Sequence, residues 1–78
     1  MKTMTCQQLG GACDQEFHGE TWEEMQQLSQ QHGMEMFDQQ DQAHLTAMNK
    51  MRELMQDQQA MQAWTEEKRK EFENIPEN

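Results

Sequence analysis

KTMTCQQLGGACDQEFH, residues 2–18, decides the fold. Lys2-Thr3-Met4-Thr5-Cys6 alternates as a half-buried strand does, and Asp14-Gln15-Glu16-Phe17-His18 offers a returning partner. Leu9-Gly10-Gly11 between them is a turn signal. A β-hairpin is expected over 2–18, with Cys6 opposite Cys13, Met4 opposite Gln15 and Lys2 opposite Phe17. In that register both thiols point one way. His18 points the other, because successive strand side chains alternate faces, and so makes a poor co-ligand for them.

The chain turns helical after the hairpin. Thr21-Trp22-Glu23-Glu24 has a threonine followed three residues later by a glutamate, the reciprocal arrangement that satisfies two orphan amides at a helix start. Trp22, Met25, Leu28, His32 and Met36 then form one stripe on a 3.6-residue period, which predicts a helix over 22–36 with His32 facing inward. Gly33 is a candidate stop, although the apolar spacing continues past it. Asp41 can cap a second helix, 42–56, bearing His44, Met48, Met51 and Met55. Asp57 can cap a third, 58–73, through Ala60, Met61, Trp64, Lys68 and Phe72, unless the two run on as one rod. Residues 75–78, with the sole proline at Pro76 and no periodicity, are expected to fray. The fold class is therefore α+β, an N-terminal β-hairpin packed against two or three α-helices, in a single small domain spanning 1–74.

Composition limits what such a domain does. Its 78 residues are 33% hydrophobic, with no Val, no Tyr, one Ile and four Leu, so nine Met must supply much of a thin core. A metal or a partner subunit would staple so small a fold. The net charge of −9 repels phosphate backbones and excludes nucleic acid as a partner. Nothing in the sequence reads as a membrane span or a signal h-region, so the chain is expected to be cytoplasmic. Two cysteines there stay reduced, free for packing, metal binding or redox chemistry.

Distances along the elements bring four side chains together. From Cys13 to His18 a strand advances ~17 Å. From Thr21 to His32 a helix returns ~16 Å, so packed antiparallel it carries His32 back level with Cys13. The short connection after it starts the second helix at the same end, with His44 in its first turn. Cys6, Cys13, His32 and His44 can thus converge as metal ligands. Two thiolates and two imidazoles in a tetrahedron suit Zn, and a site with one open position also suits Fe, Ni or Cu. Other readings of these residues stand beside this one. Both cysteines can be small buried hydrophobes, with His32 hydrogen-bonded in the core and His44 on the surface. They can form a disulfide, or Cys13 can be a nucleophile, for which no base and orienting acid are evident.

The stretch TCQQLGGACD at 5–14, followed by Glu16-Phe17 and by Gly19-Glu20-Thr21-Trp22-Glu23-Glu24-Met25, resembles domain-of-unknown-function family 1059. These small bacterial and archaeal proteins are described as predicted small metal-binding proteins. The resemblance runs from residue 1 to the neighbourhood of Phe37. It implies a hairpin packed on a helix, with Cys6, Cys13 and His32 as ligands. Many members carry a second histidine where this chain has Phe37, which leaves the fourth position to His44 or to water, or marks a branch that kept the fold without the metal. Residues 41–78 lie beyond the usual family core.

Two functions compete. The first is a small acidic metal-binding protein in which Cys6, Cys13, His32 and His44 hold a divalent transition ion, Zn before others, in a structural site. The second is a Met-rich interaction or self-association module without metal, including a homodimer through the Met-bearing second helix. Core packing is the ordinary use of those methionines, and Met34-Glu35-Met36 admits a soft Cu(I) site as a further use. Enzymatic activity is not expected, since no phosphate-cradling glycine loop, nucleophile elbow or H-E-x-x-H helix occurs.

Overall fold

The computed structural model describes residues 1–76, in the order hairpin, then three helices. Strands β1 (Lys2–Thr5) and β2 (Glu16–Gly19) pair antiparallel, and helices α1 (Trp22–Asp38), α2 (Gln42–Met55) and α3 (Gln58–Glu73) follow. The fold is α+β, as the patterning of the chain predicts.

The register of the hairpin corrects the expected one by two residues. Lys2 faces Gly19, Thr3 faces His18, Met4 faces Phe17 and Thr5 faces Glu16. The cause lies in the loop, where Gln7–Leu9 form a turn of 3-10 helix. Thr5 and Gln8 close it reciprocally: the Thr5 N–H donates to Gln8 Oε1 at 2.8 Å and the Gln8 N–H to Thr5 Oγ1 at 3.2 Å. Gly10 ends the turn in the left-handed region at φ 92°, where a side chain would also press on Met51 and Trp64. The last rungs are therefore skewed, Cys6 N–H to Gln15 O and Gln7 N–H to Cys13 O. A shift of two leaves every side chain on its own face. Met4 and Phe17 still point into the core, and exposed His18 sits outside with Nδ1 2.9 Å from Thr3 Oγ1.

Helix α1 starts as its sequence dictates, with the Thr21 side chain accepting from the Glu24 N–H and the Glu24 carboxylate accepting from the Thr21 N–H. It does not stop at Gly33. The helix runs on to Asp38 because the left-handed residue that ends it is Gln40, at φ 57°, while Gln40 N–H donates to Phe37 O and Asp41 N–H to Met36 O. Asp41 then caps α2 and Asp57 caps α3, its Oδ1 accepting from the Gln59 and Ala60 amides. That second cap sits in extended backbone, so α2 and α3 are separate helices.

The core is small. Met4, Cys6, Phe17, Met25 and Phe72 are buried, Met4 and Met25 completely, each contributing about 1.5–3 kcal/mol where a full-sized side chain leaves water. Leu9, Cys13, Trp22, Leu28 and Ile75 pack around them. Phe72 reaches this cluster from the last turns of α3, with its ring 5.9 Å from that of Trp22 and Lys2 Nζ 4.9 Å above its centre. Ile75, expected at the start of a frayed tail, is held by its N–H to Phe72 O and by the core. Glu77 and Asn78 of that tail lie outside the described residues. No helix among the described residues is long and apolar enough to cross a membrane.

Candidate metal centre

Each of the four side chains singled out from the sequence arrives from a different position in the fold. Cys6 enters from the end of β1, Cys13 from the loop before β2, His32 from the middle of α1 and His44 from the first turn of α2. Their ligand atoms all lie within 4.8 Å of one another. Cys6 Sγ is 3.6 Å from His44 Nε2, and Cys13 Sγ is 3.3 Å from His32 Nε2. The two imidazoles meet edge to face with centroids 5.2 Å apart, and Phe17 braces His32 from the core side at 5.5 Å.

These spacings suit a tetrahedral cation. With metal–sulfur bonds near 2.3 Å and metal–nitrogen bonds near 2.05 Å, a tetrahedron has sulfur–nitrogen edges of about 3.6 Å. The Cys6–His44 and Cys13–His32 pairs, at 3.6 and 3.3 Å, fall close to that value.

Backbone donors favour charge on one of the two sulfurs. Burial pushes the Cys6 thiol up, but hydrogen bonds from the Cys13 amide, the His44 ring, the Ala12 amide and the Cys13 side chain outweigh it and leave Cys6 below the ordinary thiol value. Cys13 moves the other way. Burial lifts it, and Cys6 and the charge of Asp14 lift it further against a hydrogen bond from the Gln15 amide. A thiolate thus forms more easily at Cys6 than at an ordinary thiol and resists a second beside it, a conflict that a cation between the sulfurs would remove. Gly11 permits this crowding, because a Cβ there would overlap Cys6 Sγ. Both cysteines are free thiols.

Asp41 is the residue that sequence reasoning missed in this role. Its Oδ2 accepts from the His44 N–H at 3.0 Å, as a helix cap, and lies 2.6 Å from His44 Nδ1. That hydrogen bond is the main cause of the raised His44 pKa, which burial opposes, and of the lowered Asp41 pKa. It directs Nε2 toward Cys6, the carboxylate–histidine arrangement that orients and strengthens metal-ligating imidazoles. The signal was available: an N-cap aspartate three residues before a histidine lies on the same helix face.

Other candidates stay apart. Met34 is 69% exposed, on the outer side of α1. Comparison with protein-family models, with curated proteins and with solved structures gives no match.

Proposed function

We propose that the protein is a small acidic cytoplasmic metal-binding protein that holds one divalent transition ion through Cys6, Cys13, His32 and His44. The convergence of these four donor atoms within 4.8 Å carries the reading. Two thiolates and two imidazoles form a donor set for which Zn is the best fit, and four protein ligands make the site structural rather than catalytic. The ion would tie hairpin, α1 and α2 together, a staple suited to a core of five buried apolar side chains. No enzymatic role is part of this reading. Kinship with family 1059 is, with His44 standing in for the ligand that Phe37 lacks.

Elemental analysis of protein purified without tags or chelators tests it. About one equivalent of metal per chain is expected, absent from Cys6→Ser and Cys13→Ser, with a melting temperature that falls on chelation. Stoichiometry near zero, with melting indifferent to Zn and to chelator, would overturn the proposal.

A further inference from the structure

Cys6 and Cys13 are the chain's two cysteines, and both belong to the cluster. They are free thiols whose sulfurs lie no more than 4.8 Å apart. Backbone bonds hold the two residues side by side, with Gln7 N–H donating to Cys13 O at 3.0 Å and Cys6 N–H to Gln15 O at 2.8 Å. In a tetrahedral site with metal–sulfur bonds of about 2.3 Å the two sulfurs stand about 3.8 Å apart, whereas a disulfide brings them to about 2.05 Å. The same pair can adopt either arrangement. It cannot hold both at once, because a disulfide removes the thiolate charge through which each sulfur binds a cation.

A small oxidant has a way in. An open groove of about 540 Å³ between the hairpin loop, α1 and α2 has Cys6, His32 and His44 in its wall. Cys13 is half-buried rather than buried. A hydroperoxide, small and uncharged, suits such an approach. We propose, resting on the metal reading above, that Cys6 and Cys13 form an oxidation switch in which a hydroperoxide joins the two sulfurs as a disulfide and so empties the metal site. One sulfur, as thiolate, takes the terminal peroxide oxygen: an S–O bond forms, the O–O bond breaks, and the alcohol or water leaves, giving a sulfenic acid. The second sulfur displaces that oxygen as the S–S bond forms, and the oxygen leaves as water. Each departing oxygen takes a proton, from the thiols in metal-free protein and from solvent where both sulfurs are already thiolates. The sulfurs lose two electrons between them and the peroxide gains both. His32 and His44 remain on separate helices, two ligands where a structural site needs four. The new bond spans only the hairpin loop, so the tie from the hairpin to α1 and α2 is lost with the ion.

The full chain is treated with hydrogen peroxide in two states, chelator-treated and Zn-loaded, once elemental analysis has measured the Zn content. A weak chromophoric chelator reports Zn as it is released, and mass spectrometry with peptide mapping follows the cysteines. Methionine oxidation adds oxygen and survives a dithiol reductant, whereas the disulfide loses two hydrogens and is reversed by it. Both states are expected to form the Cys6–Cys13 bond, with one Zn released per disulfide in the loaded chain. The oxidised chain should lose its melting-temperature response to added Zn, and dithiol reduction should restore it. Sulfinic acid or links between chains in place of the internal disulfide would overturn the proposal, as would a disulfide formed with Zn still held. Because Zn content is measured first, a chain that never holds Zn defeats the metal reading and the switch with it, while one that holds Zn and fails to release it defeats the switch alone.

Discussion

At Asp41 a single carboxylate oxygen serves two amide-scale needs, closing the start of α2 and aiming the His44 ring. Asp41→Asn keeps a capping side chain but loses the charge that draws the Nδ1 proton. Metal affinity is expected to fall about 10–100-fold, as for other outer partners of ligating histidines, and competition against a chromophoric chelator measures it. In metal-free protein the same pair gives stability a defined pH dependence. The raised His44 pKa contributes stability that is fully present below about pH 6.5 and is lost as pH rises through the folded-state value. The lowered Asp41 pKa contributes stability present above about pH 3.9 and lost as pH falls through its folded-state value. Urea titrations of chelator-treated protein should therefore show a plateau between those limits and a decline on the alkaline side that Asp41→Asn flattens. The convergence of Cys6, Cys13, His32 and His44 was legible in the sequence because rise per residue brings His32 level with Cys13 whatever the details of the turn. Asp41 was read only as a cap, since cap chemistry already accounted for it.

The elements were legible wherever an N-terminal signal existed. Thr21-x-x-Glu24, Asp41 and Asp57 each begin a helix where their side chains can accept backbone amides. Ends were harder. Gly33 looked like a stop because glycine favours left-handed backbone, yet stopping there would have stranded the stripe at Met36. Instead Gln40 bears the left-handed strain, compensated in part by its Nε2 donating to Phe37 O at 3.1 Å. The hairpin register escaped prediction for a related reason: Thr5-Cys6-Gln7-Gln8 repeats the capping pattern of α1 on a smaller scale and inserts a helical turn into the loop. Gly33→Ala tests the account of α1. A Cβ there meets only Met48 Cε at 3.9 Å, an ordinary contact, so the variant should gain about 0.5–1 kcal/mol. Thermal melting should rise by about 4–8 °C per kcal/mol. Gly11→Ala should do the reverse, costing about 1–3 kcal/mol and weakening the metal site, because its Cβ overlaps Cys6 Sγ.

The whole molecule is a slab, 34 × 29 × 16 Å in its principal extents, and a slab buries few side chains. A metal held by Cys6, Cys13, His32 and His44 would therefore weigh heavily in its stability. At free Zn 1,000-fold above Kd the linkage is about 4.1 kcal/mol, and calorimetry with and without chelator should separate melting by about 15–30 °C. Phe72→Ala should cost about 3–5 kcal/mol, measured by urea denaturation of the Zn-loaded protein, since it removes a buried aromatic ring packed against Trp22.

That phenylalanine also sets a clock on biosynthesis. The hairpin and α1 are translated first, but the cluster formed by Met4, Phe17 and Met25 stays open to water until the last turns of α3 emerge and insert the aromatic ring. Hairpin and α1 thus stay unsealed until α3 is added, and released chains truncated at Asp57 should bind a hydrophobic dye that chains reaching Ile75 exclude.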